Sequence, residues 1–229
     1  MIPMRTLQPL ERRAYATYAL ILINALVFLW ELMQGQRIGG VFMAMAFNPC
    51  QVGALPVGDV SLNILRSMFL HGSWEHLIGN MTFLWIFGRN IEDFLGWRKY
   101  IGLYLFWGAA AALIQAAIGP GGFCIPMIGA SGAISGVLGS YLICYPGARV
   151  KVMVIFFRFF PAFFKVPALA FIGLWFIFQL FQGILSLGVD TLDGGIAFWA
   201  HIGGFIVGMV TVFIYILFAG PPKRYREDE

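Results

Sequence analysis

The feature that most constrains this chain is a long stretch without a charged side chain. Residues 100–147 contain no Asp, Glu, Lys or Arg. Over the whole chain, 60% of the residues are hydrophobic, 11% are charged and the mean hydropathy is +0.81, whereas soluble globular domains carry about 25% charged residues. Too few charges remain to cover a water-facing surface of this size. The sequence therefore predicts an integral membrane protein.

Six segments are apolar and long enough to cross a bilayer, for which a helix needs about 20 mostly apolar residues. The six predicted spans are residues 14–32, 76–91, 100–118, 131–145, 166–187 and 197–219. Gly and Pro residues end several of them, as in Gly220-Pro221-Pro222 after the last. We predict an all-α integral membrane protein, folded as a six-transmembrane-helix bundle.

Outside the six spans, the sequence predicts a long first outer loop and two short terminal tails. The loop, about residues 34–70, is apolar. Because long structureless loops are uncommon, we expect it to be partly helical and to lie in the membrane interface. The whole chain, residues 1–229, is expected to form one membrane domain with cytoplasmic tails at about 1–13 and 221–229.

The basic residues indicate the orientation. With the N-terminus placed inside, only Arg37 and Arg66 of the 15 lysines and arginines fall in outer segments, and cytoplasmic segments are the ones enriched in these residues. Both termini are therefore predicted to be cytoplasmic. Because the N-terminus resembles neither a cleavable signal nor a transit peptide and no soluble domain is appended, we expect a multi-pass protein of a prokaryotic cell membrane (plasma or inner). The basic residues form no stripe, so nucleic acid is not an expected partner.

The cysteines give no sign of a disulfide framework or a thiolate metal site. Cys50, Cys124 and Cys144 are three in number and cannot all pair, and the chain contains no Cys-x-x-Cys. We expect them to be unpaired residues in apolar surroundings.

Histidines and an asparagine lie where polar groups are costly. His71, His76 and His201 fall near the outer ends of predicted spans, and Asn80 lies one helical turn beyond His76. Polar side chains at such depth usually face a cavity or one another. His76 and Asn80, four residues apart, share one helix face.

Two seams of small residues predict where these groups point. Gly204 and Gly208 share a helix face with His201, and Gly132 and Gly136 form the same small-x-x-x-small pattern beside Ser131. If the two seams pack together, the Ser131 hydroxyl meets the His201 imidazole, which pairs a nucleophile with a base. For either seam alone, plain helix packing is the simpler explanation.

The segment before Ser131 contains helix breakers, and the predicted fourth span is short for a bilayer. Irregular backbone at membrane depth persists only where it is buried or lines a water-filled cavity. Ser131 is therefore expected to begin a helix below the membrane surface, with its backbone N–H free to bind an oxyanion. His76 and Asn80 can add side-chain donors to the same oxyanion.

A metal site is the alternative use of the histidines. HGSWEH places His71 and His76 five residues apart, which fits neither His-Glu-x-x-His nor His-x-x-Glu-His. Haem ligation by His76 and His201 is equally disfavoured. We expect no metal and no cofactor.

Three motifs, in this order, resemble the rhomboid family of intramembrane serine proteases. They are HGSWEHLIGN (71–80), GASG (129–132) and AHIGGFIVG (200–208), and they fall in the second, fourth and sixth predicted spans or at their edges. The resemblance implies a Ser–His dyad without an acidic third member. In this reading Ser131 is the nucleophile and His201 is the general base.

The resemblance also assigns roles to the residues around the dyad. His76, Asn80 and the Ser131 backbone N–H match the oxyanion-stabilising groups. The supporting residues are His71, which lines the cavity, Gly129 and Gly132, which shape the turn at the nucleophile, and Gly204 and Gly208, which bring the two helices together.

The sequence departs from the family pattern at two places. Ser135 stands where many relatives carry a Tyr or Phe that packs on the catalytic imidazole, so Trp199 or an aromatic residue of another helix is expected to fix the ring of His201. Leu62-Asn63 stands where many relatives carry Trp-Arg, so the anchoring of the first outer loop is expected to differ.

These expectations predict a serine endopeptidase that cleaves transmembrane segments of membrane proteins through an acyl-enzyme. Its partners are transmembrane protein substrates and the lipid bilayer, and the sequence carries no signal for an oligomeric state. Substrate entry is predicted beside the fifth span, whose candidate wall residues are Trp175, Phe176, Phe178, Phe181 and Gln182. An inactive rhomboid-like protein that binds membrane clients and a small transporter are the two alternatives.

Overall fold

A computed structural model describes residues 2–119, 126–156, 160–187 and 197–222. The α-helices of these ranges, numbered along the chain, are α1 (Tyr15–Met33), α2 (Ile38–Met45), α3 (Val57–Ser67), α4 (Trp74–Phe83), α5 (Arg89–Leu95), α6 (Trp97–Ile118), α7 (Ser131–Cys144), α8 (Ala168–Ser186) and α9 (Phe198–Ala219). The strands are β1 (Ile2–Thr6), β2 (Arg149–Phe156) and β3 (Phe160–Pro167).

The mostly helical membrane fold is confirmed. Helices α1, α6, α8 and α9 are long and apolar enough to cross a membrane, and α7 is a shorter apolar helix of 14 residues. The second predicted span corresponds to α4, a π-helical segment Leu84–Gly88 and α5, which follow one another directly. That six segments cross the bilayer remains a prediction.

A three-stranded antiparallel sheet is the main element that the sequence analysis missed. The strand order is β1-β2-β3, with Thr6 opposite Val150 and Arg149 opposite Pro167. The expected N-terminal tail is therefore partly a strand, and the bundle is not purely α-helical. Val150 and Val152 are buried on the inner face of the sheet.

The centre of the molecule is α7, which packs against α6 and α9. A β-carbon at Gly204 would collide with the carbonyl oxygen of Gly132, and one at Gly208 would collide with that of Gly136. The two small-residue seams thus meet, as predicted, with backbone against backbone. The indole N–H of Trp107 on α6 also donates to the Thr211 hydroxyl of α9, at 2.8 Å.

The first long loop is partly helical, as expected. It contains α2, α3 and two short 3₁₀ segments, Gly35–Arg37 and Pro49–Gln51. Asn63, at the site where the family pattern has a different pair, is buried and donates to the side-chain oxygen of Gln51 at 3.3 Å. This hydrogen bond joins α3 to the middle of the loop.

The expectation of unpaired cysteines was wrong for Cys50, which is disulfide-bonded. Cys144 is buried at the end of α7 and is not disulfide-bonded. Cys124 lies outside the described residues.

Candidate active site

Ser131 and His201 meet near the starts of two helices. Ser131 is the first residue of α7, and His201 lies in the first turn of α9. The distance from Ser131 Oγ to His201 Nε2 is 2.8 Å, and both residues are half-buried. A serine hydroxyl within hydrogen-bond reach of an imidazole can pass its proton to the ring as the oxygen attacks.

The other ring nitrogen of His201 contacts α8. Its Nδ1 lies 2.7 Å from Oε1 of Gln179. An amide oxygen only accepts hydrogen bonds, so Nδ1 carries the ring proton and Nε2 presents a lone pair to Ser131. Sequence analysis missed Gln179. A polar residue inside an apolar span was the available signal.

An aromatic residue of another helix lies next to the His201 ring, which is one of the two arrangements expected from the sequence. The ring of Trp175 on α8 lies 6.1 Å from the imidazole, centroid to centroid, with the planes tilted by 36°. Ser135, at the position of the missing aromatic, donates its hydroxyl to the Ser131 carbonyl oxygen at 2.7 Å. Its side chain therefore bonds within its own helix.

Gly129 brings the turn before Ser131 against two side chains of α4. Its φ is +119°, a conformation that L side chains rarely adopt. A β-carbon there would lie 2.6 Å from Nε2 of His76 and 3.6 Å from Nδ2 of Asn80. Both predicted side-chain donors thus face the backbone two residues before Ser131. The Gly129 N–H itself donates to the Ser67 carbonyl oxygen at 2.8 Å.

His71 orients the Asn80 amide. Its Nδ1 donates to the Phe69 carbonyl oxygen at 3.2 Å, so its Nε2 accepts from Nδ2 of Asn80 at 3.0 Å. Burial, and secondarily the nearby His76 imidazole, lower the pKa of His71 to about 4. At neutral pH the ring is therefore uncharged and keeps this acceptor.

Two further polar side chains that sequence analysis missed hold the backbone around the site. Glu31 on α1 accepts from the His71 backbone N–H at 2.9 Å. The side-chain oxygen of Gln115 on α6 accepts from the Ala200 N–H at 3.0 Å, one residue before His201. The same N–H also donates to the Ala197 carbonyl oxygen at 3.1 Å, so Gln115 adds a side-chain acceptor in the first turn of α9.

The supporting glycines also lie beside the dyad. Gly132 follows Ser131 and packs on Gly204, and Gly208 lies one turn further along α9. Within the described part of the chain, no three His, Cys, Asp or Glu side chains converge as a metal site would require.

Known proteins match this chain over most of its length. A family model, the Rhomboid domain, matches residues 60–218. The chain is 29% identical over 203 residues to "Rhomboid protein 1, mitochondrial" of Saccharomyces cerevisiae, a match that covers 84% of this chain and 51% of the relative. It is 30% identical over 196 residues to "Presenilin-associated rhomboid-like protein, mitochondrial" of Mus musculus, with 83% of this chain and 46% of the relative covered.

A third relative is "Rhomboid-like protease 5" of Toxoplasma gondii, 28% identical over 180 residues, with 72% of this chain and 18% of the relative covered. The chain therefore spans about half the length of the two mitochondrial relatives and 18% of the length of the third.

Proposed function

The chain belongs to the rhomboid family, and from this premise we propose that it is a serine endopeptidase that cleaves transmembrane segments of other membrane proteins. The observation that carries the proposal is the 2.8 Å distance between Ser131 Oγ and His201 Nε2. The relative named as a protease in Toxoplasma gondii adds support.

The proposed reaction begins with proton transfer from Ser131 to His201. The Ser131 oxygen attacks the scissile carbonyl carbon while Nε2 takes the hydroxyl proton, and the ring becomes an imidazolium. That proton then passes to the leaving amine, so the peptide C–N bond breaks and an acyl-enzyme remains. Water attacks the ester with His201 again as the base, which releases the acid and restores the serine.

The oxyanion is proposed to bind where Asn80, His76 and the Ser131 backbone N–H converge. Asn80 Nδ2 carries two protons, and His71 accepts one of them. The second proton is available to the oxyanion. Donors held in place before the reaction stabilise developing charge without reorganising during it.

Transmembrane helices with weakened backbone are the proposed substrates. A regular helix hides its carbonyl groups in hydrogen bonds, so segments with Gly, Pro or other helix-destabilising residues near the outer face are preferred. Entry beside α8 is proposed because two of its aromatic side chains are exposed, Phe178 at 53% and Phe181 at 58%.

The protein carries several membrane-spanning helices, and we propose that it is one six-span domain with both termini in the cytoplasm. A prokaryotic cell membrane, plasma or inner, remains our proposed location, although two of the relatives carry mitochondrial names. Fractionation of the native organism's membranes distinguishes the two locations.

The decisive experiment uses the full chain purified in detergent, a fluorophosphonate probe and a model transmembrane substrate. Wild type is expected to label and to cleave, and Ser131→Ala and His201→Ala are expected to do neither. Ser135→Ala is the matched control, because it removes a hydroxyl one turn away that bonds within its own helix. It is expected to label normally.

Wild-type protein that is folded but neither labels nor cleaves would favour the inactive, client-binding relative. Co-purification of a membrane protein with both wild type and Ser131→Ala would then test that function. Equal labelling of wild type and Ser131→Ala would show that another nucleophile reacts.

A further inference from the structure

Building on the proposed function, we infer that Gln179 of α8 is the positioning residue for His201 and acts as an uncharged third member of the catalytic group. Its Oε1 lies 2.7 Å from His201 Nδ1, and the residue is only 6% exposed. The family resemblance implied a dyad alone, and the role of Gln179 is inferred from this contact in the structure.

The chemistry requires the amide oxygen, rather than the amide nitrogen, to face the ring. With the oxygen there, Nδ1 holds the ring proton and Nε2 can accept the proton of Ser131. With the amide reversed, Nδ1 would accept, Nε2 would carry the proton, and the ring could not act as a base. Gln179 thus selects the reactive tautomer as well as the ring orientation.

An uncharged acceptor suits a site among apolar helices. A carboxylate at this depth would carry a large desolvation cost unless it were paired. The amide oxygen accepts the Nδ1 proton without that cost. Its dipole stabilises the imidazolium, because the negative end of the dipole faces Nδ1. This stabilisation is weaker than that from a full negative charge.

Gln179 also links the base to the helix proposed to border substrate entry. It lies on the packed face of α8 with Ile172 and Gly183, and Trp175 of the same helix faces the imidazole. N–H···O hydrogen bonds have donor–acceptor distances of about 2.7–3.2 Å, so a small displacement of α8 breaks this one. The ring is therefore held in its reactive orientation only while α8 is seated against α9.

The test compares the rate of Ser131 labelling by a small fluorophosphonate, which reports on nucleophile activation without requiring a helical substrate to enter. Gln179→Met keeps the side-chain length and removes the acceptor. Leu180→Met, which introduces the same residue at the next position of α8, is the matched control. Gln179→Glu restores an oxygen acceptor at the same position, where pairing with the imidazolium offsets the desolvation cost of the carboxylate.

Gln179→Met is expected to label about 10-fold to 100-fold more slowly than wild type, part of the about 10²–10⁴-fold that a general base contributes. With a transmembrane substrate, kcat is expected to fall by a similar factor while KM changes by less than about 2-fold. Gln179→Glu is expected to recover most of the rate, and Leu180→Met to match wild type.

Equal labelling of Gln179→Met and Leu180→Met overturns the inference while leaving the proposed function intact. If Gln179→Met unfolds at a clearly lower temperature than wild type, its slow labelling does not test the role of Gln179, and Gln179→Glu is used instead. A Gln179→Glu variant that is folded but labels slowly also overturns the inference. Wild-type protein that does not label at all overturns the proposed function itself, which is a distinct result.

Discussion

At the scale of single residues, the candidate site depends on the direction of one amide. Asn80 is only 9% exposed, and its Nδ2 is directed by the neutral acceptor on His71. If the amide turned over, its oxygen would face the proposed oxyanion site and would repel a negative charge there. The Glu31 carboxylate, which binds the His71 backbone, fixes the residue that does the orienting.

Asn80→Ala is expected to lower kcat by about 10-fold to 10³-fold with little change in KM, because the lost hydrogen bond forms with the oxyanion rather than with the bound substrate. Asn63→Ala, another buried asparagine that lies in α3, is the control. Steady-state kinetics with a transmembrane substrate measure both. A loss confined to KM in Asn80→Ala would contradict the oxyanion role.

His71→Ala tests whether His71 acts only by orienting the Asn80 amide or also contacts the oxyanion directly. It leaves the Asn80 amide in place without its acceptor, so kcat is expected to fall less than in Asn80→Ala, by about 10-fold. The double variant is expected to be no slower than Asn80→Ala alone, because the two residues act through one group. Additive losses in the double variant would show that His71 acts independently.

At the scale of helices, the proposed catalysis depends on a close contact between two helices, at which a β-carbon would collide with backbone atoms. The approach of α7 to α9 is limited by the carbonyl oxygens of Gly132 and Gly136, which occupy the space of missing β-carbons at Gly204 and Gly208. Any increase in this separation moves His201 away from Ser131. Packing and chemistry therefore share the same residues.

Gly204→Ala is expected to destabilise the protein by about 1–3 kcal/mol, as overpacking does, and to slow fluorophosphonate labelling by at least about 10-fold. Gly102→Ala on α6 is the matched control, because a β-carbon there meets no atom within 4 Å. Thermal unfolding in detergent and the labelling rate are measured on both. Gly204→Ala with wild-type values for both would mean that the seam is not tightly packed in the membrane.

Helix positions and the meeting of the seams were predictable because apolar length and glycine spacing are local patterns. The sheet was missed although Arg149, Val150, Lys151 and Val152 alternate as in a strand. Gln179 was missed because its partner is 22 residues away in the chain, and only the packing of α8 on α9 brings the two together.

At the scale of the whole molecule, the sheet constrains the topology. Because β1 pairs with β2, residues 2–6 and 149–156 lie on the same side of the bilayer. An even number of crossings must therefore separate them, which is consistent with the proposal that α1, the α4–α5 segment, α6 and α7 each cross the bilayer. Lys99 at the start of α6 also donates to Tyr215 near the end of α9, at 2.8 Å. These contacts support, for the whole chain, the even number of spans that we propose.

The disulfide bond of Cys50 gives an independent indication of sidedness. Disulfides form in oxidising compartments and are rare in the cytoplasm. Cys50 lies in the loop that the distribution of Lys and Arg assigns to the outer side. The disulfide of Cys50 is therefore consistent with the proposed orientation, in which this loop faces the outer compartment.

This orientation predicts which introduced cysteines a membrane-impermeant maleimide can reach in intact cells. Gln36→Cys, exposed in the outer loop, is expected to react, and Met4→Cys and Gly147→Cys, exposed on the sheet side, are expected to react only after detergent is added. Wild-type protein supplies the background from native cysteines.

The reverse labelling pattern would show that the orientation is opposite to the one proposed. Different behaviour of Met4→Cys and Gly147→Cys would be incompatible with the pairing of β1 and β2, because paired strands cannot lie on opposite sides of a bilayer.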